Sequence, residues 1–304
     1  MKGAGAAPRT VGAWRGEIER RFRSARLHYG HGTRDARAEA AWLVGSALRI
    51  PFAQLDESAS RLISPAAAGR LDALAGRRVR SREPLAYVLR EAWLQGHRFH
   101  VDRRVIVPRS HLAGLMPEGL AAWLPRAGPR RILDLCTGSG CLAVLAALAW
   151  PGARVDASDL SGAALAVARQ NVAAYRLRRR VRVLKSDLFG GLGEARYDLV
   201  LCNPPYVSAA AMRRLPPEYL HEPRMALAGG RDGLELVRRL IAQAPHHLAP
   251  RGLLAVEIGD GRAAFERAFP RLPVIWLTTA GGADPVFAVA REELLARPGS
   301  ARTG

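Results

Sequence analysis

From residue 130 onward, short apolar runs rich in β-formers alternate with segments of helical periodicity. RRILDLC is followed by SGCLAVLAALAW and RVDASDL by GAALAVARQNVAAY; then come VRVLKSDLF, YDLVLC, LELVRRLIAQAPHHL and RGLLAVEIG. Crossover helices between strands of this kind return the chain to start a parallel neighbour, so the rhythm predicts a doubly wound α/β sheet. Two late runs, PVIWLTT and DPVFAVAR, are separated by AGGA and read as an antiparallel edge pair.

The first part of the chain differs in period. VGAWRGEIERRFRSARLHY, RDARAEAAWLVGSALRI and SPAAAGRLDALAGRRVRSR place apolar residues three and four apart, the mark of amphipathic helices. Ser64-Pro65 is an N-cap with proline in the first turn, and Ile50-Pro51 ends the preceding helix. Trp14, Phe22, Trp42 and Leu43 are the expected core of this helical domain. Residues 84–110 carry short alternating segments around Gly96, which predicts a β-hairpin. The expected division is therefore a helical domain over 1–83, a hairpin linker over 84–110 and an α/β domain over 111–304, ending in a frayed RPGSARTG tail.

With 304 residues, 49% hydrophobic and 24% charged, the chain has enough apolar material for two cores and is neither disordered nor fibrous. Its most apolar stretch, CLAVLAALAW, is far short of the ~20 residues of a membrane span. The N-terminal MKGAGAAPRT has no apolar segment of signal-peptide length, so the expected location is cytoplasmic. Three cysteines without CxxC spacing, Cys136, Cys141 and Cys202, argue against a disulfide framework and a zinc site. His97, His100 and His111 read as surface or packing residues, and no metal is expected. The formal net charge is +19, and among 46 basic residues only Lys2 and Lys185 are lysine. Such a field favours polyanions such as RNA.

Two motifs carry chemistry. ILDLCTGSGCLAV is a strand, a glycine turn and a helix start, in which Gly138 and Gly140 let the backbone approach a ligand. About 20 residues later, a spacing typical of ribose contacts, Asp159 ends the next strand. Nicotinamide dinucleotide and S-adenosylmethionine both fit that frame. Asp134, on the strand before the turn, disfavours a pyrophosphate and suits a ligand bearing an ammonium and a sulfonium. Asp187 ends the third strand and is placed to accept from an adenine amino group. Taken singly, each of these aspartates also reads as a helix cap.

The second motif is DLVLCNPPYV. Two prolines remove two N–H donors and fix a rigid turn after a buried strand. If YDLVLC is the fourth strand, it lies beside ILDLC where strand order reverses, and NPPY faces the cofactor. An amide nitrogen is a poor nucleophile because its lone pair is delocalised, so a site that methylates one must hold its N–H groups with acceptors. The side-chain oxygen of Asn203 and the carbonyl of Pro204 supply two, Pro205 stiffens the turn, and Tyr206 offers a ring to pack on the planar amide.

DLCTGSG, SDLS, SDLF, NPPYV and HEPRMALAGGRDGL together resemble the protein glutamine methyltransferases of the HemK/PrmC and PrmB type, from about Pro84 to Leu295. The resemblance implies a seven-stranded, Rossmann-like S-adenosylmethionine-dependent methyltransferase sheet preceded by a helical substrate-recognition domain. VPRSHLAGL and the ending GGADPVFAVAREEL are similar to the PrmB branch, which methylates ribosomal protein L-three. Carried onto this sequence, the resemblance gives Cys136, Thr137, Gly138, Ser139 and Gly140 to the cofactor turn, Asp159 to the ribose, and Asn203, Pro204, Pro205 and Tyr206 to the glutamine; Asp134, Asp187, Leu188 and Asn203 complete the expected cofactor site. Cys136 stands where the family commonly has glycine. The implied reaction is transfer of a methyl group to a glutamine side-chain amide of that protein, which RNA-containing assembly particles would present with its basic charge compensated. Release-factor glutamine methylation, amino methylation of a nucleic-acid base and a non-catalytic RNA-binding assembly role are the alternatives.

Overall fold

The computed structural model describes residues 10–279 and 285–296; the expected AGGA turn and RPGSARTG tail lie outside the described residues. The chain forms two compact units. One runs to Ala92 and includes Leu215–His221; the other comprises Trp93–Arg214 and the chain from Glu222 onward.

The first unit is built on helices α1 (Val11–Ser24), α2 (Ala36–Leu48), α3 (Pro65–Ser81) and α4 (Leu85–Leu89). The side chains of Thr10, Asp35 and Ser64 accept from backbone N–H groups three residues on, each satisfying a donor the first helical turn leaves open. Trp14, Ile18, Phe22, Leu43 and Leu71 are buried together. Trp42 is only partly buried and donates its indole N–H to Glu91, 3.1 Å away. Residues 85–89, expected as hairpin strand, form α4 instead; a single helical turn is too short to reveal its period. The Leu215–His221 segment places Glu218 fully inside this unit, where its carboxylate accepts from the His28 N–H (3.0 Å) and Arg82 (2.6 Å). Arg78, itself 1% exposed, pairs with Glu39 at 2.8 Å and lies 3.8 Å from Glu218.

From the last residue of the first unit, β1 (Ala92–Leu94) and β2 (His97–Phe99) form the hairpin, with Gln95 and Gly96 both at positive φ as a tight two-residue turn requires. The main sheet contains β3 (Arg131–Leu135), β4 (Arg154–Asp159), β5 (Val181–Lys185), β6 (Tyr197–Cys202), β7 (Leu248–Glu257), β8 (Ile275–Leu277) and β9 (Val286–Ala290). Their order is β5-β4-β3-β6-β7-β9-β8, seven strands in all, and the last two are antiparallel. The connecting helices are α5 (Cys141–Ala149), α6 (Gly162–Ala174), α7 (Ala209–Met212), α8 (Glu235–His247), α9 (Arg262–Ala268) and α10 (Arg291–Leu295).

The central strands are apolar throughout because both faces are covered. Ile132, Leu199, Leu201 and Ala255 join one core with Leu142 and Val144 of α5, whereas Leu133, Leu135, Val200 and Val256 join the other with Val237 and Leu240 of α8. Neighbouring residues on a strand point to opposite faces, so a run such as ILDL feeds both cores at once.

Candidate active site

The chain leaves β3 for β4 and β5 on one side, then crosses back to β6 on the other. Leu135 and Cys202 stand opposite each other at the carboxyl ends of β3 and β6. The turns after them, Cys136–Gly140 and Asn203–Tyr206, therefore emerge side by side at the switch in strand order, where open α/β sheets bind ligands.

The first turn owes its shape to backbone conformation. Cys136, Gly138 and Gly140 have φ of 56°, 53° and 78°. Cys136 sits in the left-handed region, a physical reason for glycine there. At Gly140 a Cβ would lie 3.0 Å from the Ala168 Cβ and 3.2 Å from its Cα, so the turn and α6 pack too closely for a side chain. The Thr137 N–H donates to the Ser158 carbonyl at 3.0 Å, and the Gly138 N–H to Asp159 Oδ2 at 2.9 Å. Asp159 Oδ1 accepts from the Ser161 N–H at 2.8 Å. Each carboxylate oxygen retains capacity for a further donor. Burial raises the Asp159 pKa, against the lowering effect of these N–H groups.

A cavity of about 340 Å3 opens between the turns, within the ~300–1,000 Å3 range of small-molecule pockets. Of the residues singled out in the sequence, Cys136, Gly138, Asp159, Asp187, Leu188, Asn203 and Pro205 line it. Asp134, Thr137, Ser139, Gly140, Pro204 and Tyr206 are not among the lining residues. Asp134 was expected to face a cation; instead it is fully buried beneath the turn, where Oδ2 accepts from the Thr137 hydroxyl and the Ala143 N–H. Oδ1 has no hydrogen-bond partner among the described residues, and burial pushes the carboxyl up to about 7. Asp187 pairs through Oδ2 with Arg239 at 2.8 Å, and both residues line the cavity. Tyr206 rests against Gly259, where a Cβ would come within 2.7 Å of the ring.

The half-buried Asn203 carboxamide takes no hydrogen bond from the protein among the described residues, although it lines the cavity. A polar side chain held at such a place without a partner is available to a ligand.

The structure adds supports that the sequence reading did not single out. Glu222 of HEPR is buried and accepts from the Val107 N–H (2.8 Å) and two guanidinium nitrogens of Arg109 (2.6 and 2.8 Å). Glu257, at the end of β7, accepts from the Ser110 hydroxyl (2.6 Å) and the His111 N–H (2.8 Å). Two buried carboxylates thus pin the VPRS segment, whose upstream neighbours Arg104, Val105 and Ile106 line the cavity. The ALAGGRDG run grips the other turn: Val207 N–H donates to Leu227, Gly229 N–H to Val207 and Ala209 N–H to Gly230. A Cβ on Gly229 would stand 2.7 Å from the Pro205 oxygen, so only glycine permits that contact.

Three relatives share this chain nearly end to end. The ribosomal protein uL3 glutamine methyltransferase of Bordetella pertussis is 51% identical over 275 residues, covering 90% of this chain and 92% of that protein. The chain belongs to this family. The enzymes of the same name from Burkholderia pseudomallei (46% identity, 92% of this chain and 94% of that one) and Bradyrhizobium diazoefficiens (44%, 95% and 96%) agree. The Methyltransferase small domain model matches residues 118–228, the stretch that holds both turns. The chain is thus a methyltransferase of the uL3 glutamine methyltransferase family, with the seven-stranded sheet of that class. No helix among the described residues is long and apolar enough to cross a membrane, and no group of three or more His, Cys, Asp or Glu side chains there could hold a metal ion.

Proposed function

We propose that the cavity binds S-adenosylmethionine and that the Asn203 turn presents a glutamine side chain of ribosomal protein uL3 to it. The observation that carries this reading is the unpartnered Asn203 carboxamide in the wall of a cavity that also exposes Gly138 and Asp159. The lining suits the cofactor chemically: Asp159 can accept from both ribose hydroxyls, Leu160 and Leu188 offer apolar surface to a base, and Asp187, paired with Arg239, keeps acceptor capacity for an adenine amino group. When bound, S-adenosylmethionine supplies an electrophilic methyl group on a sulfonium.

The chain's own residues do the rest. The Asn203 oxygen and the Pro204 carbonyl accept the two amide N–H bonds, which fixes the plane of the glutamine amide and aims its nitrogen at the methyl carbon. Pro204 and Pro205 bring no competing N–H donors. As the nitrogen took the methyl group, the sulfur–carbon bond would break and the cofactor would leave as its neutral thioether; the two acceptors would stabilise the positive charge gained by the nitrogen, and one amide proton would pass to water. Burial keeps the neighbouring Cys202 thiol protonated, so it offers no rival nucleophile.

The relatives' names give uL3 as their substrate, and that specificity is the reading adopted for this chain. Incubation with purified uL3, a release factor and a structured RNA, each with labelled S-adenosylmethionine, tests it. Label in uL3 alone, mapped by peptide mass spectrometry to one glutamine, is the expected result; label in the release factor or RNA in preference to uL3 would overturn it.

A further inference from the structure

At the opposite end of the sheet from the cavity, a second concavity of about 760 Å3 is lined by seven arginines: 131, 154, 169, 178, 179, 180 and 182. The one acidic residue in its wall is Asp156. We propose that this groove binds the phosphate backbone of folded RNA, as a docking site separate from the methyl-transfer site.

The arginines divide by what they already do. Arg182 grips both oxygens of Asp156 at 2.8 and 2.9 Å, the Tyr197 hydroxyl donates to the same carboxylate, and Arg131 lies over the Tyr197 ring at 5.2 Å. Asp156 is thereby spent. Arg180 donates to the carbonyls of Ala147 and Pro151 and closes the end of α5. Asp198, the nearby carboxylate on β6, accepts the backbone N–H groups of Arg130 and Arg131. Arg154, Arg178 and Arg179 are exposed and have no side-chain hydrogen bond or ion pair among the described residues. Arg131, itself 4.0 Å from Asp156, stands in register with Arg154 on the adjacent parallel strand, which brings a second guanidinium to the wall beside an already shared carboxylate.

Folded RNA is the occupant these features favour. A planar guanidinium matches phosphate with two parallel hydrogen bonds, and a row of them along a concave wall gains from counterion release on each phosphate neutralised. The apolar residues of the wall are all valines, Val155, Val172, Val181 and Val183, with no large exposed side chain to enter a lipid bilayer. Arg131 and Arg154 begin their strands, whereas Cys136 and Asp159 lie at the far ends. Five to six residues of strand separate the two sites by roughly 15–20 Å, so RNA held in the groove is not itself the methyl acceptor. Biologically the proposal rests on the uL3 reading: a chain of net charge +19 repels a free basic protein, and RNA bound alongside the substrate offsets that repulsion.

The test compares three full-length proteins: wild type, Arg154→Ala/Arg178→Ala/Arg179→Ala, and a charge-matched control, Arg34→Ala/Arg61→Ala/Arg70→Ala, all exposed residues of the helical unit. Binding of a fluorescent RNA hairpin is followed between about 50 and 200 mM salt. The groove variant is expected to lose at least about tenfold in affinity, and its slope of log affinity against log salt to flatten by about two to three. The control should stay close to wild type in RNA affinity, and methyl transfer to free uL3 should be unchanged in the groove variant. Equal losses in both variants would mean a diffuse charge effect and would overturn the groove. So would tighter wild-type binding to anionic lipid vesicles or to poly-glutamate than to RNA. Transfer to free uL3 is read separately, so failure of the uL3 assignment leaves the RNA measurement interpretable.

Discussion

Asp134 shows how one side chain can be legible in type and misplaced in role. A carboxylate just before a glycine turn reads as a ligand contact, yet strand alternation puts Asp134 on the Ile132 face, under α5, where the Ala143 N–H reaches it at 3.0 Å. Its pKa rises from 3.8 to about 7, chiefly through burial. The folded chain then holds a proton that the unfolded chain loses near pH 4. This group's contribution is complete below that pH and is lost as pH rises toward 7. Asp134→Asn keeps an acceptor for Thr137 and Ala143 but cannot ionise. Urea unfolding across pH 4–8 should find the variant gaining on wild type as pH rises, by about 1–3 kcal/mol at the upper end. Parallel curves would show that the carboxyl ionises freely. Asp159 and Asn203, by contrast, line the cavity as strand-end logic implies, since a residue beyond the last hydrogen-bonded pair is free to face the crevice.

At the scale of elements, the alternation of the longer strands and helices could be read from period, the short helices α4, α7, α9 and α10 could not, and the β3–β6 adjacency follows once YDLVLC is the fourth strand of a sheet that winds outward from a switch. What could not be read was which backbone each glycine abuts. ALAGGRDG marked the family, but its physical task, closing on the NPPYV turn some 25 residues earlier, depends on a long-range contact no local pattern encodes. Gly233 has φ 84°, and a Cβ there would run into the Tyr206 carbonyl oxygen. Gly233→Ala combines backbone strain with a backbone clash and should cost about 2–4 kcal/mol or displace the turn. Denaturant midpoints and transfer rates should both fall; a variant with neither changed would show that the contact is slack.

Across the whole molecule, the change of period leads to an expected boundary at residue 83, whereas the first compact unit runs to Ala92 and takes in Leu215–His221, a return that no local pattern announces. That segment has no composition shift to announce it; what commits it is Glu218, buried with Arg82 and near Arg78. Arg78 compensates two buried carboxylates, Glu39 and Glu218. Arg78→Met should destabilise the helical unit by about 3–5 kcal/mol, seen as an earlier urea transition. Cofactor affinity, which the proposed function assigns to a cavity lined wholly from the other unit, should be retained; an unshifted transition would mean that the carboxylates are already neutral. In the proposed function Asn203 acts on the acceptor amide rather than on the fold. Single-turnover methyl transfer to uL3 by Asn203→Ala, alongside calorimetric titration with S-adenosylmethionine, reads that directly. Transfer slowed about 10²–10³-fold with cofactor affinity within about threefold of wild type is the predicted result. Transfer at the wild-type rate would contradict it.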